Sequence, residues 1–352
     1  MFSRFKETAK SSTHQTDPYP NDKGPNSPSD CLNVERSPFS QPMSLRDHWF
    51  KIRNEPNALP RHLARRFLFG LFERLGLHIT GDHFYEPIPN LRDLEATYDG
   101  TPRSIPGHNL SIARFETAHA QRLQSYAPEF ESAAAKFGYD PTNYFFRGAD
   151  ALSWYSLLRE LKPATVVEIG QGVSTRIAIA ALEMNAADGA PPATLLSIDP
   201  HPRLRDDALH PEHTKLEQIH QPIQSMPKDD LLARLGTNTV LFVDSSHVHK
   251  HGSDVWHLMR EIYPGLPSGT LLHIHDIVLP YPWPKEFYTE QKWFWNEQDM
   301  LAAFLTFNTA FEIILPVHLV HRDSALVYST LASILPDFPQ ADLGYSFYLR
   351  RL

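Results

Sequence analysis

Cysteine is almost absent from this chain, which contains a single one, Cys31, in 352 residues. One cysteine excludes an internal disulfide, so the fold must depend on its hydrophobic core. No apolar run reaches the roughly 18 residues that a membrane-spanning helix needs, and the N-terminus lacks the pattern of a secretory leader. We therefore expect a cytoplasmic protein without a transmembrane segment.

An excess of positive charge is also missing. The chain carries 33 Lys and Arg against 41 Asp and Glu, which gives a formal net charge of −8. General nucleic-acid binding normally requires a basic surface, so we expect no nucleic-acid partner. The hydrophobic content of 41% is enough for a full core, and 352 residues allow one large domain with an accessory region.

The composition of the chain changes along its length. Residues 1–45 are rich in Ser, Pro, Asn, Asp and Thr, which predicts a disordered tail. Residues 46–150 are expected to form an N-terminal accessory region of helical and extended segments, with a basic amphipathic helix over 61–77. That helix either packs on the domain that follows or lies on a membrane surface. Residues 151–352 are assigned to the main domain.

Strands and helices alternate after residue 151, a pattern typical of an α/β fold in which helices cover both faces of a parallel sheet. Strands are predicted at 165–169, 194–198, 215–219, 239–243, 270–275, 311–315 and 345–349. Helices are predicted at 174–185, 202–209, 226–235, 253–263 and 297–307.

The turn between the first of these strands and the next helix is the most informative segment. Gly170 and Gly172 allow the backbone to turn sharply and to approach a ligand closely, and the amides near Ser174 can hold an anionic group at a helix N-terminus. Asp199, at the end of the second strand, is in the usual position for binding ribose hydroxyls. A dinucleotide fingerprint would require glycine where the chain has Thr175.

Four polar side chains follow the fourth and fifth strands, where ligands of open α/β sheets bind. They are Asp244, His247, His275 and Asp276. His247 is the first candidate for a general base and His275 the second, since histidine titrates near neutral pH. Asp244, His275 and Asp276 are a candidate metal site, in which imidazole would favour Mn²⁺, Fe²⁺ or Zn²⁺ over Mg²⁺. A metal-free hydrogen-bond network is the alternative.

The order of these motifs resembles a known family. Glu168, Gly170 and Gly172, followed by Asp199, are similar to motif I of class I S-adenosylmethionine-dependent methyltransferases. A longer series resembles the bacterial methyltransferase 24-like family over about residues 60–352. The segments of this chain that carry the resemblance are residues 84–89, 168–175, 244–247, 252–255, 273–277 and 295–298.

The resemblance implies a Rossmann-like class I methyltransferase fold: a seven-stranded, mostly parallel sheet with helices on both faces, an antiparallel last strand and an N-terminal helical extension. It also implies S-adenosylmethionine as the cofactor. The residues expected to hold it are Glu168, Gly170, Gly172, Ser174, Asp199 and Asp244.

The function implied is transfer of a methyl group by in-line displacement to a hydroxyl of a small acceptor, of sugar or secondary-metabolite type. Three alternatives stay open: N-methyl transfer, a metal-dependent enzyme of another class that uses Asp244, His275 and Asp276, and a non-catalytic partner subunit. The aromatic stretch from Pro280 to Trp295 is either a substrate wall or a hydrophobic plug. The sequence does not indicate an oligomeric state.

Overall fold

The computed structural model describes residues 68–78, 87–204, 209–335, 338 and 343–352. The chain divides into two compact units, Met1–Glu86 and Pro87–Leu352. The described part of the first unit contains helix α1, Phe69–Glu73. Residues 1–45 and the first seven residues of the helix expected at 61–77 lie outside the described residues. The boundaries expected after residues 45 and 150 stay predictions.

The second unit contains an alternating series of strands and helices. Its strands are β1 Thr165–Ile169, β2 Thr194–Ile198, β3 Lys215–Ile219, β4 Thr239–Val243, β5 Leu271–Ile274, β6 Phe311–Pro316 and β7 Phe347–Arg351. Its first helices are α2 Leu91–Thr97, α3 Glu116–Ala135, α4 Gly148–Leu161, α5 Val173–Ala187 and α6 Lys228–Leu232. They are followed by α7 Asp254–His257, α8 Lys285–Thr289, α9 Glu297–Leu305, α10 Val317–Asp323 and α11 Ala325–Ile334.

The strands form one seven-stranded sheet in the order β3-β2-β1-β4-β5-β7-β6. Every neighbouring pair from β3 to β5 is parallel, whereas β7 runs antiparallel to both β5 and β6. This topology confirms the expected α/β fold and its antiparallel last strand. The strand order reverses between β1 and β4, which is where open α/β sheets bind ligands.

The central strands are buried on both faces, as expected of a sheet covered by helices. Their register aligns the strand ends, because Ile169 pairs with both Ile198 and Val243, and Val243 pairs with Ile274. The residue that follows each of these four strands therefore lies at the same edge of the sheet. These residues are Gly170, Asp199, Asp244 and His275.

Several predicted helices differ from those observed. Residues 202–204 are not helical and 205–208 lie outside the described residues, so no helix 202–209 is seen there. The segment expected as one helix at 253–263 consists of α7 and the π-helical residues Leu258–Ile262. Ser253 caps α7, because its side chain accepts a hydrogen bond from the Trp256 amide. Strand β7 begins two residues later than expected, because amides at the end of the preceding loop bond to a buried carboxylate instead of the sheet.

Within the described residues, no helix has both the length and the apolar character needed to cross a membrane.

Candidate active site

The loop after β1 packs directly against the end of β4. Gly170 has a φ of +92°, and a Cβ at this position would lie 1.9 Å from the carbonyl oxygen of Asp244. Only glycine fits here, since any side chain would collide with backbone. At Gly172, by contrast, a Cβ would meet no atom within 4 Å, so that side of the loop faces open space.

Glu168 ties the end of β1 to the first turn of α5. Its side chain is buried and accepts hydrogen bonds from Ser174 Oγ at 2.8 Å and Thr175 Oγ1 at 2.6 Å. Burial raises the pKa of Glu168 to about 8, and the two hydroxyl donors only partly offset that effect. The Gly172 amide donates to Thr175 Oγ1 at 3.0 Å, so the same network fixes the loop.

Asp199 orders two loops at once. Its Oδ2 accepts a hydrogen bond from the Gln171 amide at 2.8 Å, and its Oδ1 accepts one from the His201 amide at 2.7 Å. The residue is half-buried. Since each carboxylate oxygen has two lone pairs, both oxygens can accept one further hydrogen bond from a ligand.

His247 lies among three carboxylates. Its Nδ1 is 3.0 Å from Glu297 Oε2, and its Nε2 is 3.2 Å from Asp276 Oδ2 and 3.5 Å from Asp244 Oδ1. Burial alone would lower the pKa of His247, but Asp244 and Glu297 raise it to about 10. Neither ring nitrogen is therefore free of an acidic neighbour.

His275 faces the other side of the same two aspartates. Its Nδ1 is 3.6 Å from Asp276 Oδ1 and 3.8 Å from Asp244 Oδ2, and this buried nitrogen has no hydrogen-bond partner among the described residues. Its Nε2 donates to Asp150 Oδ2 at 3.0 Å. Burial opposes protonation, but Asp276 and Asp150 raise the pKa of His275 well above its usual value.

Asp150 is a buried carboxylate in the first turn of α4. Besides His275 it accepts hydrogen bonds from the Tyr345 amide at 2.6 Å and the Ser346 amide at 3.1 Å. Burial would raise the pKa of Asp150, but the hydrogen bond from His275 and these amides hold it below its usual range. Asp150 thus joins α4, the end of β5 and the start of β7.

Part of the chain is similar to a known protein family. Residues 167–277, from β1 to the end of β5, match the model of a family described as a methyltransferase domain. The similarity to that family covers these residues. The match confirms the resemblance stated for the sequence.

Similar proteins include an uncharacterized protein of Archaeoglobus fulgidus, 28% identical over 156 residues that span 41% of this chain and 68% of that protein. The methyltransferase PaMTH1 of Podospora anserina, solved with S-adenosylhomocysteine, is 13% identical, with 68% of this chain and 97% of that chain covered at a TM-score of 0.37. The calicheamicin methyltransferase CalS11 is also 13% identical, with 72% and 99% covered at a TM-score of 0.34.

The backbone is unusual at two of the candidate site residues. His247 and Asp276 both have a φ of +59°, in the left-handed region that non-glycine residues seldom adopt. The loop of His247 is held in place, because its carbonyl oxygen accepts the amides of Asn296 and Glu297 at 3.1 and 3.2 Å. Uncommon backbone conformations that the surroundings enforce are typical of functional sites.

The aromatic stretch before α9 covers one face of His247. The Trp295 ring lies 4.4 Å from the His247 ring and stacks on Trp293 at 4.8 Å. Trp283 is buried and meets Trp295 edge to face at 5.4 Å, whereas Trp293 is exposed. The stretch therefore has one buried end and one exposed end, and both of its predicted roles, wall and plug, stay open.

The structure brings the predicted candidates together. The expected metal ligands, Asp244, His275 and Asp276, stay a prediction; in the described part of the chain, the potential ligand atoms of Asp244, His247 and Asp276 all lie within 4.8 Å of one another. Sequence reasoning also missed two buried acids, Asp150 and Glu297. Each stands in the first turn of a helix, where an acid has an ordinary local explanation.

Proposed function

We propose that this protein is a methyltransferase that moves the methyl group of S-adenosylmethionine to a hydroxyl of a small acceptor, of sugar or secondary-metabolite type, by in-line displacement. The observation that carries the proposal is the contact between Gly170 and Asp244. It joins the loop suited to the cofactor and the cluster of acids and histidines suited to the acceptor. Holding two reactants in line is worth up to roughly 7–11 kcal/mol of the barrier.

The residues at the loop fit the cofactor. Gly170, Gly172 and the amides near Ser174 would face its methionine end, and the open space in front of Gly172 leaves room for it. Asp199 would accept the ribose hydroxyls through charge-assisted hydrogen bonds, and Asp244 would lie beside the bound cofactor. Glu168 would act indirectly, by ordering the loop, because both of its carboxylate oxygens already accept hydrogen bonds from hydroxyl groups.

The acceptor must lose its hydroxyl proton, and two histidines are candidates for receiving it. His247 was the first candidate on sequence grounds, yet both of its nitrogens lie against carboxylates. Carboxylates raise the pKa of both rings, so either histidine must first pass its own proton to a neighbouring aspartate. The buried Nδ1 of His275 forms no hydrogen bond among the described residues, and we assign the base to this atom. In the transfer the O–H bond breaks, an N–H bond forms, and the methyl group passes from sulfur to oxygen.

A divalent cation at the two aspartates would bind the acceptor oxygen and lower the pKa of its hydroxyl. The residues there fit a cation, since Asp244 and Asp276 supply oxygens on one edge of the sheet and imidazole nitrogens flank them. A metal-dependent enzyme of another class would use the same residues. The family match favours methyl transfer over that alternative. N-methyl transfer is a second alternative, and it would need less help from a base than transfer to a hydroxyl.

Calorimetric titration with S-adenosylmethionine and S-adenosylhomocysteine tests the cofactor. We expect micromolar binding that Asp199→Ala abolishes and that Asp230→Ala, an exposed acid in the first turn of α6, leaves unchanged. Loss of binding in both variants would indicate misfolding, so each is first checked by thermal unfolding. Failure of the parent protein to bind either compound would contradict the proposal.

A further inference from the structure

The loop that leads into α4 presents two adjacent aromatic side chains to solvent. In this rim loop, residues 137–147, Tyr144 is 86% exposed and Phe145 is 65% exposed, whereas Phe146 beside them is buried. Single exposed apolar residues are ordinary, but neighbouring exposed rings form a patch of the kind that marks a binding surface. Folding does not explain the two exposed rings, because they bury little of their surface.

Hydrogen bonds from one side chain hold the rim loop in shape. Asn143 Oδ1 accepts the amides of Phe145 and Phe146 at 2.9 and 2.8 Å. Its Nδ2 donates to the carbonyl oxygens of Asp140 at 2.7 Å and of Phe146 at 3.0 Å. The exposed rings are therefore displayed on a preorganised support, and a ligand that binds them loses less entropy in ordering the loop.

The rim loop runs along the edge of the sheet where the candidate site lies. At its start, Arg176 near the beginning of α5 donates a hydrogen bond to the Phe137 carbonyl oxygen. At its end, the ring of Phe146 lies 4.6 Å from the ring of His275, which follows β5. The loop thus reaches from the helix behind the Gly170 turn to the acids and histidines at the strand ends.

Arg203 brings a positive charge to the rim loop from the segment after β2. Its guanidinium carbon lies 4.6 Å from the centre of the Phe145 ring. The Leu204 amide donates to Gln171 Oε1 at 3.3 Å, which fastens this segment to the loop after β1. Arg203 is exposed, and no carboxylate in the described part of the chain pairs with it. Its charge is therefore available to a ligand.

The charge of this rim is opposite to that of the strand ends. Arg147 lies 5.5 Å from the Tyr144 ring, so a guanidinium stands beside each exposed ring of the loop. At the strand ends, by contrast, the four acids described above outnumber the two histidines. A molecule with a negative group at one end would be attracted to the rim and repelled by the acids, and its hydroxyl end would face the acids. Complementary charge of this kind gives specificity.

We propose that Phe145 and Arg203 form a subsite for an anionic group of the acceptor, so that the protein selects hydroxylated carboxylates or phosphate esters over neutral acceptors. A guanidinium stacked on an aromatic face keeps its edge free for two parallel hydrogen bonds to a carboxylate or phosphate. The proposal rests on the proposed methyl transfer and adds the chemical class of the acceptor.

The test compares acids with neutral counterparts as ligands of the full-length protein, by ligand-observed NMR titration without cofactor. The pairs are glucuronate with glucose and 4-hydroxybenzoate with its methyl ester, and glucose 6-phosphate distinguishes a phosphate from a carboxylate. We expect at least one anion to bind about fivefold more tightly than its neutral counterpart at low salt. That preference should shrink in about 0.5 M NaCl, because salt screens exposed charges.

Variants assign the preference to the subsite. Arg203→Gln should remove most of the preference for the anion and leave binding of the neutral counterpart unchanged. Arg260→Gln is the matched control, since Arg260 is also exposed and lies 5.1 Å from the Trp256 ring in the same kind of pair. Phe145→Leu should weaken anion binding by a smaller factor, whereas Phe307→Leu, which removes another exposed ring, should not.

The parent protein decides the question even if a variant fails to fold, because equal binding of every acid and its neutral counterpart would overturn the proposal. A preference that Arg203→Gln leaves intact would also overturn it. So would weaker S-adenosylmethionine binding by Arg203→Gln without a preference for acids, since the arginine would then serve the cofactor. Cofactor binding without that preference contradicts the subsite alone, and the preference without cofactor binding contradicts methyl transfer alone.

Discussion

Two pairs of buried histidines in this protein have opposite charge preferences. His119 and His321 join α3 to α10 through their Nε2 atoms, 2.7 Å apart, and burial lowers the pKa of both, that of His321 to about 4. His247 and His275 are equally enclosed, yet nearby carboxylates raise the pKa of both. Burial therefore does not decide the charge of a histidine; the groups that its two nitrogens face decide it.

The geometry of each pair explains the difference. His321 Nδ1 donates to the Leu343 carbonyl oxygen at 2.8 Å, so its Nε2 must accept the Nε2 proton of His119. A second proton has no place between the two nitrogens, and the pair is stable only when neutral. In the cluster at the strand ends, Asp150 and Glu297 face the outer nitrogens of His275 and His247, so each ring has an acceptor for a second proton.

Removal of Asp150 should have the largest effect on stability. His275 loses its ion-pair partner, and three hydrogen-bond donors lose their acceptor. We expect Asp150→Ala to lower the free energy of unfolding by about 3–5 kcal/mol at pH 7, the usual cost of breaking a buried ion pair. Urea denaturation measures it. Glu95→Ala, an exposed acid on α2, is the control, and a loss no greater than in that control would contradict the role of Asp150.

Acidification should have the second-largest effect, because it destabilises the protein through the His119–His321 pair. The folded pKa of His321 is about 4, below the value near 6.5 of an unfolded histidine, so the unfolded state binds the proton first. The stability is present above pH 6.5 and is lost as the pH falls towards 4, by about 3 kcal/mol for one such group. Urea denaturation at a series of pH values measures this loss.

His119→Gln sharpens this test. Glutamine can still donate a hydrogen bond to His321 Nε2 but cannot titrate, so the loss of stability below pH 6.5 should become smaller. His213→Gln changes a histidine whose side chain is 48% exposed and should leave the slope as it is. An unchanged slope in His119→Gln would show that the neutral pair does not govern the acid sensitivity.

Glu168 extends the comparison to buried acids, because no histidine faces it. Its folded pKa of about 8 is above the unfolded value, so its contribution is most favourable below pH 4.5 and is lost as the pH rises through 8. We expect Glu168→Gln to raise the free energy of unfolding at pH 9 by about 1–3 kcal/mol and to change it little at pH 5. Equal effects at both pH values would contradict the raised pKa.

The sequence predicted the sheet that positions the histidines of the candidate site, but not the buried acids that they contact. The apolar runs that became β1, β2, β4 and β5 determined the sheet, and its parallel order then placed Asp199, Asp244, His247 and His275 at one edge. Asp150 and Glu297 were missed because they contact histidines 125 and 50 residues away. Periodicity describes local structure, and an acid in a first helical turn gives no sign of a distant partner.

The smallest expected effect concerns the aromatic ring over His247. Trp295 lies 4.4 Å from the His247 ring, so a protonated imidazole would gain a cation–π interaction that Trp293 does not provide. In a double-mutant cycle of Trp295→Leu with His247→Gln we expect a coupling of about 0.5–2 kcal/mol. The same cycle with Trp293→Leu should give a coupling near zero, because Trp293 stacks on Trp295. Equal couplings in the two cycles would mean that the stack only fills space, and that the acids alone set the charge of His247.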